Sequence, residues 1–522
     1  MLMRRKNPSM AGRSTAVTLP APTLGWNARD ALEAMNPQDA VTLENWFPAP
    51  TTVQARYGYT QYSTGLGAQV ETLLTYSGGA SNKLFGIAGG SVYNCTAGGA
   101  VGAADISGLT NSRWQFVNNT TAGGNYLQMV NGADKMRVYT GAAWAKDGDG
   151  APYDVTGVNT ANCIGITLSH NRVWLTEKNT LKAWYLPTGS IGGVANALDL
   201  SSFAELGGYL QFIATWTMDA GYGMDDMTVF GTSNGEVLVY RGTDPASVST
   251  WSLVGIYVIG SPIGRRCFIK FAGDLLLITQ DGVVSMASAL QSSRVNPKSA
   301  LSNKIQYAIS AAVSNYSSNF GWDLTVFPKE NMLILNVPVQ EGLLQQQYVM
   351  STIKRSNGDW AWCNFTGWEA NCWELWVDNI YYGGNGFVAR AWNGLSDNGS
   401  NINCNGLQAF YPFGNDKANK RFTMMRPILQ SNGSPNILAQ MNIDFDLSNS
   451  TAPLLFSGTT YGTWDSGVWD TAIWGSDLNV LKNWQGCTGI GYWAAPHIYL
   501  ATMGIQTTWV NTTIVMESGG IL

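Results

Sequence analysis

DMTVFGTSNGEVLVYR, residues 226–241, sets an apolar run (Met227 to Phe230) and a second (Val237 to Tyr240) on either side of Asn234-Gly235. Asn-Gly supplies the two positive-φ positions of a type I′ turn, so the stretch reads as a β-hairpin. DLLLITQDGVVSM, residues 274–286, repeats the pattern around Asp281-Gly282. Between the two lie a turn, Gly242-Thr243-Asp244-Pro245, a strand around Trp251–Ile259, and Cys267–Phe271, which can serve as a fourth strand. One unit is then roughly 47 residues, the length of a four-stranded propeller blade.

The pattern extends in both directions. Leu84–Ile87 with Val92-Tyr93 flanks Gly89-Gly90, Tyr126–Val130 with Met136–Tyr139 flanks Asn131-Gly132, and Arg172–Thr176 with Leu181–Tyr185 flanks Asn179. Beyond residue 290, Met332–Val337 pairs with Gln347–Thr352, and Asn379–Tyr382 with Phe387–Trp392 around Asn385-Gly386. From Gly90 to Gly132 is 42 residues, then 47 to Asn179, 56 to Gly235 and 47 to Gly282; the next 104, to Gly386, hold two steps. A lone hairpin is only marginally stable in water, so units at near-constant spacing must bury their faces on one another. The fold class expected is all-β: a β-propeller of about seven blades over 61–395, with an irregular N-terminal arm (1–60) and a smaller C-terminal β domain (396–522). One amphipathic helix is expected over Lys298–Tyr316, with Leu301, Ile305, Ile309 and Val313 four apart. In the arm, Asn27 is placed to cap a short helix, Ala28–Met35, and Asp39–Glu44 to form a second turn.

Composition narrows the function classes. Apolar residues make up 45% of the 522 and charged ones 12%, which supports a large core and excludes disorder. The formal charge is −5 with no long basic run, which argues against a dedicated nucleic-acid grip. Seven cysteines stand far apart without a CxxC, so neither a disulfide framework nor a zinc site is expected. No apolar h-region follows Arg4-Arg5-Lys6, and no apolar run approaches the ~18 residues of a membrane span.

Catalytic signatures are sparse. Two histidines exist, His170 in a turn composition and His497 at a strand start. There is no GxSxG, and the Gly-rich pieces fit neither a P-loop nor a dinucleotide fingerprint. Asp219, Asp225 and Asp226 around Gly221-Tyr222-Gly223 lack EF-hand spacing. No catalytic residue, cofactor or metal is therefore assigned. The rival enzymatic class is a glycan-binding or glycan-cleaving propeller, built on aromatic platforms and paired carboxylates. Asp465-Ser466-Gly467-Val468-Trp469 resembles a sialidase Asp-box, but its Trp falls one residue early and the box occurs once. Trp464, Trp469 and Trp474 repeat every five residues in the same region.

Longer segments carry a resemblance. Leu24-Gly25-Trp26-Asn27-Ala28-Arg29-Asp30, Met35, Asp39-Ala40-Val41 and Glu44-Asn45-Trp46-Phe47-Pro48 resemble the opening of virion proteins of short-tailed bacteriophages. Arg241-Gly242-Thr243-Asp244-Pro245, Trp251-Ser252-Leu253-Val254-Gly255, Pro262-Ile263-Gly264-Arg265-Arg266, Gly273-Asp274 and Thr279-Gln280-Asp281-Gly282 match the same proteins, as does the run from Trp464 to Trp474. The resemblance implies a tail nozzle (tail tubular protein B) or tail-stabilisation protein. Such a protein is not an enzyme. It forms a homo-oligomeric six-fold ring, below portal and adaptor, around the DNA channel of the virion tail. It meets the tail adaptor and fibres or spikes, and DNA passes without sequence-specific binding. Candidate subunit contacts are Trp26, Arg29 and Trp46 of the arm and the pair Arg265-Arg266. For the arm, packing on its own chain is the competing role; for the two arginines it is a pair of solvated or internally bridged charges.

Overall fold

The computed structural model describes residues 14–79, 81–219, 224–247, 249–289, 300–454 and 478–519. The chain forms two compact units. The larger comprises 59–348 and 366–393, and the smaller is assembled from 1–58, 349–365 and 394–522.

The larger unit is the propeller. All seven hairpins expected from the sequence are present, and in every blade they are strands two and three. The innermost strands come before them: 70–76 in blade 1, Gln115–Thr121 in blade 2, Cys163–Ser169 in blade 3, Leu210–Asp219 in blade 4, Phe268–Phe271 in blade 5, Asp323–Phe327 in blade 6 and Cys372–Trp376 in blade 7. This shifts the repeat frame. Trp251–Val258 pairs with Glu236–Gly242 as the fourth strand of blade 4. Phe268–Phe271 opens blade 5 by pairing with Asp274–Thr279, instead of closing blade 4. The Asn234-Gly235 and Asp281-Gly282 turns are not of the expected type I′, since only Gly235 and Gly282 have positive φ, at 88° and 111°; pairs of positive-φ residues stand instead between first and second strands, at His170-Asn171, Ala272-Gly273 and Val377-Asp378. Either kind of tight turn marks a hairpin within a blade and not the blade's boundary.

Neighbouring blades pack on one another around a complete circle, from blade 1 through blade 7 and back, by their innermost strands; from blade 4 to blade 5 Leu210–Asp219 meets Asp274–Thr279, and Phe212 meets Phe268. The circle is fastened by one long strand, Tyr59–Tyr76. Its first half pairs with Asn385–Ala391 as the outer strand of blade 7, and its second half pairs with Lys83–Ala88 inside blade 1. Gly65 and Gly67, at φ of 86° and 72°, give the left-handed conformations where the strand crosses between blades. Core side chains fill the spaces between blades. Leu74, Phe85, Trp114, Leu127 and Tyr139 form one such layer, and Trp174, Tyr185, Ile213, Phe230 and Tyr240 another. Fully burying each such side chain is worth about 1.5–3 kcal/mol, which explains why the hairpins are stable only together.

The helix is shorter than expected. It runs over Gln306–Tyr316, after a 3-10 turn at Asn303–Ile305, with Ile309, Ala312 and Val313 buried. Residues 298–299 lie outside the described part.

In the smaller unit, the N-terminal segment is neither helical nor separate. Thr15–Pro20 pairs with Thr507–Ser518. Asp39–Glu44 is a strand that pairs with Gly25–Trp26 and Ile402–Gln408. Where a helix was expected, buried Asn27 holds a turn: its Oδ1 accepts from Arg29 N and Asp30 N, and its Nδ2 donates to Asp30 and Asp39. The two bonds to Oδ1 are those of a helix N-cap, but the chain makes only a turn at Ala31–Ala34 and no helix propagates from it. A second sheet holds Asn436–Ile443 and Ala494–Thr502 beside Ile402–Gln408. Among the described residues no helix is long and apolar enough to cross a membrane.

Candidate functional site: the axial face of the propeller

In a blade of this topology, the start of the first strand and the turn between the second and third lie at the same end. The seven hairpin turns therefore collect on one face, around the residues that precede the innermost strands. Arg265 and Arg266 immediately precede blade 5 and reach this face.

Arg266 spans the axis. Its Nη2 donates to Glu71 O at 3.0 Å and Thr72 Oγ1 at 2.9 Å in blade 1, and lies 3.4 Å from Trp114 O before blade 2. Its Nη1 is 3.8 Å from Asp323 Oδ2 at the start of blade 6. Its guanidinium also lies 5.6 Å from the centre of the Phe320 ring, whose other cationic neighbour, Arg113, is at 4.2 Å. Arg113 pairs with Glu71 at 2.8 Å and with Glu341. Of the two expected roles for Arg266, internal bridging is the one its contacts describe.

Beneath Arg266 lies a cavity of about 380 Å³ whose walls include Thr72, Arg266, Asp323, Trp373 and Glu374. Asp323 Oδ2 accepts from Trp373 N at 3.2 Å. Burial pushes its carboxyl up to about 6, against the opposing pull of Arg266. Glu374 accepts from Thr75 Oγ1 at 3.3 Å and from Leu375 N at 3.2 Å. Burial, with the neighbouring Asp323 charge, pushes it up to about 8, so it carries its proton at neutral pH. One carboxyl held protonated beside another that ionises is the arrangement that acid–base chemistry on a glycosidic bond requires. Here both are tied to backbone donors, and Arg266 lies over them. Neither residue carried a motif; only the ring places Asp323 beside Glu374.

Arg265 sits at the junction of three cavities. It lines the one below Arg266 and two others of about 620 and 630 Å³ on the same face. Its Nη1 donates to Asn131 O at 3.1 Å. No carboxylate pairs with it among the described residues, and desolvation together with Arg113 and Arg266 lowers its pKa.

The other sequence candidates fall elsewhere. Trp46 is fully buried in its own unit and meets Trp509 edge-on at 6.2 Å between ring centres. A side chain without accessible surface packs a core and does not present itself to a neighbour. Arg29 makes an ion pair with Asp30 at 2.8 Å, and Trp26 is half-buried. His170 adopts φ of 50° in a turn, with Ser169 Oγ 3.0 Å from its Nδ1. His497 is buried between Ser448 O and Asn405 Oδ1, at 3.1 and 2.6 Å, and desolvation lowers its pKa. Among the described residues no group of three or more His, Cys, Asp or Glu is arranged to hold a metal. The Asp-box-like segment, the run from Trp464 to Trp474 and Gly221-Tyr222-Gly223 lie outside the described residues.

These features define an all-β protein with a seven-bladed propeller and a second β unit. No protein-family model matches the chain, and no curated protein does. Solved structures do match. The β-propeller domain of Cps50 (Swd1) from Myceliophteria thermophila is 11% identical, with 62% of this chain and 96% of that one covered and a TM-score of 0.35. An extracellular domain of BT3049 from B. thetaiotaomicron is 12% identical over 63% of this chain, with a TM-score of 0.36; this chain spans 40% of its length. A family 43 arabinoxylan arabinofuranohydrolase from Bacillus subtilis is 8% identical, with 87% and 96% covered and a TM-score of 0.25. Likeness at this level concerns the fold alone.

Proposed function

We propose that the chain is a structural component of a short-tailed phage tail, of the nozzle or tail-tubular type, and not an enzyme. Copies form a six-fold ring that encloses the DNA channel, extends or closes the tail tube, and contacts the tail adaptor and the fibres or spikes. The observation that carries this reading is the resemblance of the segments from Arg241 to Gly282, which run from the outer edge of blade 4 through Arg265-Arg266 into blade 5. Arg266 crosses the propeller axis, so in this reading DNA passes through the lumen between copies. A net charge of −5 suits a wall past which DNA slides without being held. Heterologous contacts that close on themselves are the symmetry such a ring needs.

Negative-stain imaging of the purified protein tests this. A six-fold ring with a central hole is the expected result, and isolated particles of monomer size would overturn it. The competing function is a glycan-cleaving propeller, favoured by the Asp323 and Glu374 carboxyls. It predicts turnover of a host polysaccharide that Glu374→Gln abolishes; the structural reading predicts no turnover in either protein.

A further inference from the structure

The cavity of about 620 Å³ on the axial face has a chemistry that the ring reading does not use. Blades 3, 4 and 5 and the end of the helix line it, and among the described residues its charged lining is Lys178 and Arg265, with no aspartate or glutamate. Both cations are fixed by consecutive carbonyls of one turn. Arg265 Nη1 donates to Asn131 O at 3.1 Å, and Lys178 Nζ donates to Gly132 O at 2.9 Å. Neither has an ion-pair partner among the described residues. Arg265 is exposed and Lys178 half-buried, and with no counter-charge beside either among the described residues, an anion that enters the cavity gains two cationic partners at once.

The rest of the lining says which anion. Hydroxyl and amide groups surround the cations, among them Ser233, Ser261 and Gln280, and Tyr209 contributes an aromatic face, 37% exposed. A guanidinium fork pairs with a carboxylate through two parallel hydrogen bonds. Small polar groups match the hydroxyls of a sugar ring, and an aromatic face packs on its C–H side. The volume falls within the usual range for a small-ligand pocket, roughly 300–1,000 Å³. We propose that this cavity binds an acidic saccharide, with its carboxylate on Arg265 and Lys178 and a ring against Tyr209. This inference stands whether or not the chain forms a tail ring.

The test is calorimetric titration of the full chain with oligogalacturonate and with its methyl ester, which keeps the sugar and removes the charge. The acid should bind saturably and at least tenfold more tightly than the ester, and more weakly as salt rises. Arg265→Gln and Lys178→Gln should each weaken the acid at least tenfold and leave the melting temperature unchanged. Arg421→Gln, at an exposed arginine of the other unit, should have no effect. Absence of saturable binding, equal affinity for the ester, or full affinity in Arg265→Gln would overturn the proposal. So would equal binding of a poly-glutamate peptide, which would make charge alone the determinant. The acid-against-ester comparison uses the unaltered protein and decides the matter even if a variant fails to fold.

Discussion

Arg56 grips Asp397 with both arms of its guanidinium: Nη1 and Nη2 donate to the two carboxylate oxygens at 2.8 and 2.6 Å, across 341 residues of chain. The Arg56 side chain has no accessible surface. Its Nε donates to Asn45 Oδ1 at 2.8 Å and its Nη1 also reaches Tyr57 O. The pair joins the N-terminal segment to the C-terminal part of the same unit. Removing one partner leaves a buried charge uncompensated, which costs about 3–5 kcal/mol. Asp397→Asn and Arg56→Met should each lower stability by that amount in denaturant unfolding of the smaller unit. Arg56→Lys should not rescue it, because a point charge cannot replace the bidentate fork.

Trp46 yields a prediction that separates packing from assembly. It is fully buried and meets Trp509 at 6.2 Å. Trp46→Ala should cost about 3–5 kcal/mol of stability through the cavity it leaves. The measurement is a melting curve combined with light scattering. A stable variant that has lost only its oligomeric state would assign Trp46 to an interface instead.

Gly242 belongs to the resemblance segment and has a geometric reason to be glycine. Its φ is 128°, and a Cβ there would stand 1.7 Å from Thr250 O, a backbone atom with no freedom to retreat. Gly242→Ala should break the pairing of Trp251–Val258 with the rest of blade 4. The expected loss exceeds the about 1–3 kcal/mol of ordinary backbone strain. Proteolysis should appear first near Thr250.

Glu374 should give the larger unit an unusual pH profile. Burial pushes its carboxyl up to about 8, well above the ordinary 4.5 of a glutamate, and pushes Asp323 up to about 6 from the ordinary 3.8 of an aspartate. The native state therefore binds more protons than the unfolded chain between these values. Stability is fully present below the unfolded values and falls as pH rises through about 6 and then about 8. Thermal melting of the unaltered protein should drop between pH 5 and 9. Glu374→Gln should flatten that drop and melt higher than the parent at pH 9; an unchanged slope would refute the assignment.

The hairpins were legible because their determinants are local. Asn234-Gly235 and Asp281-Gly282 need only their own backbone to turn, and the flanking apolar runs need only a face to bury. The innermost strands were harder. Gln115–Thr121 reads QFVNNTT, a polar run whose role as an inner strand comes from neighbours on either side. That is why turn spacing alone leaves the frame of the repeat displaced by one strand. The N-terminal segment escapes local reading for a similar reason: Thr15–Pro20 finds its partner at Thr507–Ser518, and no local pattern signals pairing at that distance.

The site divides along the same line. Arg265 and Arg266 stood out in the sequence, but their surroundings did not. Asn131, which orients Arg265, is 134 residues away, and Lys178 and Tyr209 come from two other blades. By itself the sequence determined the β class, the seven hairpins and the absence of a catalytic motif, because turn chemistry and alternation act over a few residues. Only the tertiary structure decided that Arg266 spans the axis, that Asp323 and Glu374 share a cavity, and that Arg265 and Lys178 face one pocket. Closing the ring brings strand starts from distant parts of the chain to a common centre, and side-chain electrostatics follow from that convergence.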